Sequence, residues 1–241
     1  MRTKTLLIAA AALAVGIISS EAQVYSQNVV GYINLTVTNH TFAMVANQLD
    51  TGSNTLDNVL ANGAISSSTA ILLWDPVSGG YKQFIYYNSD DSPDGNAGWY
   101  DLGGNPSTNK LDIGSGGFIH NSAGSDITFT LVGQVVQGTN QYPVVSGYNI
   151  YSIPEPLSTN LDSVKFPAIS SSTTYVLWNG AGFNPALIYY NADDSPDGNA
   201  GWYLGGTPED GNPAVWPKVG QSFFINHPGG SDTWTNGFMV P

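Results

Sequence analysis

The eleven residues Asp90-Asp-Ser-Pro-Asp-Gly-Asn-Ala-Gly-Trp-Tyr100 recur letter for letter as Asp193 to Tyr203. Asp90, Ser92, Asp94 and Asn96 carry side-chain oxygens at alternate positions around Gly95, and Asp193, Ser195, Asp197 and Asn199 do the same around Gly198. Calcium is a hard cation that takes oxygen ligands, and loops that hold it use this spacing with a glycine at the sharp turn. Asp101 stands where the first copy needs a closing carboxylate, whereas Leu204 takes that position in the second. The flanks, Ile85-Tyr-Tyr87 and Trp99-Tyr100, read as strands, so an EF-hand is not expected. Ser-Pro-Asp-Gly is equally good turn chemistry without an ion. A Ca²⁺ loop and an acidic hairpin turn therefore both fit.

Trp99 and Tyr100, with Trp202 and Tyr203, adjoin these loops. Rings beside Asn and Asp can stack on sugars while the polar groups bond sugar hydroxyls. The competing reading packs the same rings into the core. Other reactive constellations are thin. There is no cysteine, and His40, His120 and His227 are too few for a zinc centre. No G-x-S-x-G elbow is present, and Gly114-Ser-Gly-Gly117 lacks the following helix of a phosphate cradle. Glu155 precedes a proline and Glu209 lies in a polar turn, so neither stands out as a glycosidase acid. No catalytic residue is assigned, and an enzyme is not expected.

The elements that would position these loops are strands, and they are written twice. Ile65-Ser-Ser-Ser-Thr69 returns as Ile169 to Thr173 and Trp74 as Trp178, all at an offset of 104. Val29 to Val37 alternates in strand fashion, and short runs rich in β-branched and aromatic residues follow, separated by Gly, Asn and Asp clusters. Examples are Ala70 to Trp74, Phe84 to Tyr87, Gly117 to His120 and Ile127 to Val132, with second-half counterparts such as Tyr148 to Ile153 and Ser222 to Ile225. Only Thr55 to Leu60 and Asn160 to Val164 have helical spacing. The expected fold is all-β: two tandem homologous domains, each a β-sandwich or a partly closed β-barrel. They span residues 23–137 and 144–241, with a linker at 138–143.

Composition and address narrow the function. Of 241 residues, 6 are basic and 18 acidic, giving a net charge of −12, which opposes nucleic-acid binding. Aromatics reach 12%, too many for an acidic disordered chain. Residues 1–22 read as a cleaved signal peptide: a basic start, an apolar run from Leu6 to Ile18, and Ser20-Glu-Ala22 before the cut. That run is too short to span a membrane. A secreted or extracellular location follows, with the cell surface or periplasm as further addresses.

The expected mature start, Val24-Tyr-Ser-Gln-Asn-Val-Val-Gly-Tyr-Ile-Asn34, resembles a group of duplicated β-rich secreted proteins of Verrucomicrobia and related bacteria. Their VYS-x-NVVGY opening leads into repeats of GFNL[IV]xxPL type, matched here by Thr41 to Leu49 and Gly147 to Pro154. The second of these is also similar to a segment of many bacterial surface-protein modules. The resemblance implies an envelope or extracellular location and a sandwich-like repeat, and brings no activity with it.

Leu131-Val-Gly-Gln-Val-Val136 looks like Val29-Val-Gly-Tyr-Ile-Asn34. It suggests strands shared head to tail between chains, with the last strand near Gly237 to Met239 left for a neighbour's edge. The alternative is that the first strand pairs within its own domain. The leading expectation is a secreted, non-catalytic structural or adhesive protein, calcium-stabilised and self-assembling. A carbohydrate-binding module for extracellular polysaccharide is the alternative, and a glycosidase-like enzyme the third choice.

Overall fold

The computed structural model describes residues 29–60, 64–169, 172–209 and 211–239. The expected signal peptide, and Val24 to Asn28 of the resembling start, lie outside them. In the first half the strands are β1 (Val30–Val37), β2 (Phe42–Ala46), β3 (Ala70–Asp75), β4 (Gly80–Tyr87), β5 (Gly98–Asp101), β6 (Gly116–His120) and β7 (Ile127–Gln134). A single helical turn, α1 (Leu56–Leu60), lies between β2 and β3. The second half has β8 (Gly138–Val144), β9 (Gly147–Tyr151), β10 (Thr174–Val176), β11 (Leu187–Tyr190), β12 (Gly201–Leu204), β13 (Thr207–Pro208), β14 (Phe223–His227) and β15 (Asp232–Phe238). The chain is nearly all β, and none of its sheets closes into a barrel.

Both halves have one topology. The first and last strands pair as a ribbon, β1 with β7 and β8 with β15, while the remainder form a sheet. Its order is β2-β6-β3-β4-β5 in the first half and β9-β14-β10-β11-β12 in the second, with β13 added at the edge. Every named pairing is antiparallel. Strand alternation builds each core: Ile33, Val37, Phe129 and Leu131 of the ribbon pack with Val45, Ile71, Phe84, Trp99 and Ile119 of the sheet. Leu56, Val59 and Leu60 of α1 join them. Tyr175, Trp202, Phe223 and Trp234 build the second core.

Three expectations change. Residues 138–143, expected as a linker, belong to β8, paired with β15 from Gly138↔Phe238 to Val144↔Asp232. Gly138 turns into the strand at φ 81°, and Pro143 is tolerated because a two-stranded ribbon has free edges. The last strand, expected to lack a partner, is therefore paired in its own half. Residues 160–164 form turns rather than a helix: Asn160 Oδ1 accepts from Ser163 N, and Lys165 enters the left-handed region at φ 54°.

The recurrent Val-Gly of β1 and β7 has a local cause. Gly31 and Gly133 face each other in the ribbon. A Cβ on Gly31 would lie 2.6 Å from Leu49 Cδ2, and one on Gly133 would lie 2.7 Å from the Asp50 carbonyl. Gly133 meets backbone where the chain after β2 crosses the ribbon and cannot carry a side chain there, whereas Gly31 meets side-chain methyls.

The two sheets meet face to face, and their contacts exchange equivalent residues. Met44 and Phe118 pack with Ile150 and Phe224, each 106 positions later. Ala46 N donates to Gly220 O at 2.9 Å, and Ser152 N to Gly114 O at 2.8 Å. Trp74 Nε1 donates to Tyr148 O at 2.6 Å, while Trp178 Nε1 donates to Phe42 O at 3.0 Å. Such reciprocity is the signature of an isologous, two-fold interface, formed here within one chain.

Candidate functional site

The aspartate loops sit on the β4–β5 and β11–β12 connections, and each is clasped by a tyrosine of its own hairpin. Asp94 Oδ1 accepts from Asn96 N at 3.0 Å and from the Tyr100 hydroxyl, which also lies 2.7 Å from the Asn96 carbonyl. Asp197, Asn199 and Tyr203 repeat the arrangement. The tyrosine hydroxyl, then the backbone N–H two residues on, hold Asp94 and Asp197 below the usual carboxylate value. The Tyr100 hydroxyl is raised in return, chiefly by Asp94.

The other expected ligands point to local tasks. Asp101 Oδ1 accepts from Asn105 N at 2.9 Å, the chief cause of its lowered pKa, and from Gly103 N at 2.8 Å, which together close its own turn. Ser92 Oγ donates to Ser89 O at 3.3 Å and Ser195 Oγ to Ala192 O at 3.2 Å, while Asp90 and Asp193 are exposed. Among the described residues, no group of three His, Asp or Glu side chains gathers around a single point. Asp57 of α1, which sequence reasoning did not single out, accepts from Trp99 N at 2.9 Å and so anchors β5.

The ring platform beside the loops is a correction. Trp99 and Trp202 are fully buried, and Tyr100 and Tyr203 nearly so. Gly98 and Gly201 begin these strands, and each Trp then turns inward against Tyr86 or Tyr189. None of the four rings offers a face to a sugar.

The exposed aromatic chemistry lies instead where the two sheets meet. Phe118 and Phe224 face each other across the pseudo-two-fold at 6.2 Å. Trp178 stands edge-on to Phe118, and Trp74 to Phe224, each at 5.6 Å. Tyr81 is paired with Trp74 in the β3–β4 hairpin and Phe183 with Trp178 across an isolated bridge, both with ring centroids 5.1 Å apart. Phe42 and Tyr148 complete four equivalent pairs. The arrangement is a seam of eight rings whose outer members, Phe42, Tyr81, Tyr148 and Phe183, are 39–54% exposed.

The two ends of the seam differ. His120 stacks on Phe42 at 4.3 Å and 20°, whereas Asn226 occupies the equivalent place beside Tyr148. A cavity of about 270 Å³ opens at the Tyr148 end, lined by Trp74, Tyr81, Tyr148, Val176, Phe183 and Phe224. Sequence reading noticed the Trp74 and Trp178 recurrence but not the seam. The usable signal was the outward position in each repeated strand, aromatic in both copies though not always the same residue.

Glu155, set aside in the sequence because a proline follows it, has a structural task. It is buried after β9, its Oε2 accepts from Asn236 Nδ2 at 2.6 Å, and desolvation raises its pKa. Its carbonyl accepts from Gln48 Nε2 at 2.6 Å, and Gln48 Oε1 accepts from Gly220 N at 2.6 Å, so a buried glutamine ties the halves together. Comparison with protein-family models, with curated proteins and with solved structures returned no match to this chain.

Proposed function

We propose that the chain is a non-catalytic structural or adhesive protein, exported to the cell surface, the periplasm or an extracellular matrix. The observation that supports this most directly is the use made of its reactive-looking groups. Asp57, Asp94, Asp101 and Asp197 each hold backbone N–H groups or a tyrosine hydroxyl of the protein's own hairpins. Chemistry that could have served a substrate braces the scaffold. Export rests on the basic and apolar start of the sequence.

Three experiments test this reading. In the organism that makes the protein, fractionation with mass spectrometry is expected to find a chain beginning at Gln23 in the envelope or matrix fraction. A chain retained inside the cell with residues 1–22 intact would end the proposal. Calcium is proposed as a stabiliser of the aspartate loops, where Asp90 and Asp91, like Asp193 and Asp194, are adjacent exposed carboxylates. Melting is then expected to rise with millimolar Ca²⁺ and fall in chelator, and identical curves would remove the ion. Self-assembly through the free edges of the ribbons belongs to the same proposal, and a mature protein that stays monomeric at high concentration with Ca²⁺ would remove it.

The carbohydrate-binding alternative is favoured by a different observation from the one expected. The rings available to a sugar are Tyr81, Tyr148 and Phe183, not Trp99 and Trp202.

A further inference from the structure

We propose that the cleft at the Tyr148 end of the aromatic seam binds a ring of a neutral saccharide. The inference rests on the adhesive reading and gives it a ligand.

The cleft is preformed. Trp74 is fixed through its indole N–H to the main chain of the opposite half, Tyr81 stands edge-on to Trp74 at 78°, and Phe183 packs on Phe224 at 5.8 Å. Rings held in this way lose little freedom when a ligand arrives. The volume of about 270 Å³ lies just below the range usual for ligand pockets, about 300–1,000 Å³, and suits one ring of a longer chain better than a large cofactor.

The lining chooses the chemistry. An aromatic face carries negative charge density and its edge positive, so it attracts the weakly polarised C–H groups on one face of a sugar ring. The hydroxyls of Tyr81 and Tyr148 can donate to and accept from sugar hydroxyls. Among the described residues no charged side chain lines the cleft, and the chain as a whole carries −12. An anionic polysaccharide would meet repulsion with no counter-charge at the site, whereas an uncharged one would not.

The asymmetry of the seam indicates which end is used. Duplication supplied two equivalent ends, yet His120 stacks on Phe42 and leaves it 39% exposed at one, while Tyr148 beside Asn226 is 54% exposed at the other. Asn226 is itself a hydrogen-bonding residue, on β14 directly opposite Tyr148.

The test uses the intact mature protein and a panel of neutral hexasaccharides (cello-, laminari-, xylo-, manno- and chito-oligomers), with polygalacturonate as the anionic comparison. Tryptophan fluorescence and calorimetry read binding. At least one neutral oligomer is expected to bind, and polygalacturonate is expected not to. Tyr148→Ala and Phe183→Ala should each weaken binding at least tenfold, Tyr148→Phe should weaken it less, and Phe42→Ala at the capped end should leave it unchanged. Melting curves check that each variant is folded, and Tyr148→Phe keeps the test open if the alanine variants are not. Absence of binding across the neutral panel, or binding that survives Tyr148→Ala in folded protein, overturns the proposal. So does a concentration-dependent dimer abolished by Tyr148→Ala without sugar binding, since the cleft would then seat a second copy. Matrix association of Tyr148→Ala equal to that of the unaltered protein would overturn the cleft while sparing the adhesive reading. An unaltered protein that binds sugar but never reaches the matrix would overturn the adhesive reading alone.

Discussion

Glu155 and the clasped aspartates respond to pH in opposite senses. Burial raises the Glu155 pKa in the folded state, so its contribution to stability is complete below the ordinary value of 4.5 and is lost as pH rises through the raised value. Asp94 and Asp197 are lowered by their tyrosine hydroxyls, so their contribution is present above the ordinary carboxylate value and disappears as pH falls through the lowered one. Glu155→Gln keeps an acceptor for Asn236 without a buried charge. It is expected to raise the melting temperature by a few degrees at pH 7, with the gain closing by pH 4. A gain of equal size at both values would show that charge burial is not the cause. Conversely, Tyr100→Phe should bring the Asp94 titration, followed by carboxyl NMR, back towards the ordinary value. An unchanged titration would mean that the Asn96 N–H alone holds it down. Of these residues, the aspartates were legible because their spacing is local. Glu155 was not, because its burial depends on Asn236, 81 positions away.

At the level of elements, the strands and the one helical turn of the first half were readable from alternation, turn residues and repetition. What escaped was partnership. First and last strands of each half pair with each other, a contact between distant segments that no local pattern encodes, and the segment expected to link the halves is one of those strands. Glycines record some of these long-range contacts, but only once the neighbour is known. Gly116 of β6 and Ser222, just before β14, are equivalent residues that face each other at the pseudo-two-fold, where a Cβ on Gly116 would lie 2.2 Å from Ser222 Cβ. Two serines cannot share that position, so the pair also opposes association of two identical second halves. Gly116→Ser is expected to destabilise by about 1–3 kcal/mol through overpacking. The exchange Gly116→Ser with Ser222→Gly should restore only the part of that loss due to Ser222 in denaturant melts, because the same Cβ would still lie 2.7 Å from the Val45 carbonyl. If the exchange is as unstable as the single change, Ser222 is not a source of the loss.

For the whole molecule, duplication has turned what would be a dimer interface into an internal seam. The consequence is cooperativity. Each half has its own core, yet Met44, Phe118, Ile150 and Phe224 are buried only where both sheets are present, and Gln48 makes its hydrogen bonds to the second half. Removing an indole N–H from the seam loses one hydrogen bond to a solvent-accessible carbonyl of the other half, at a cost of about 0.5–1.5 kcal/mol. Trp74→Phe and Trp178→Phe should therefore cost similar amounts, since their acceptors, Tyr148 O and Phe42 O, are equivalent. The intact protein is expected to melt in one calorimetric transition, with calorimetric and van't Hoff enthalpies in agreement. The double variant Trp74→Ala with Trp178→Ala strips the seam while leaving both cores untouched, and its trace should separate into two transitions. Two transitions in the unaltered protein would mean that the seam does not couple the halves, and the rigidity required of the Tyr148 cleft would have to come from the second half alone.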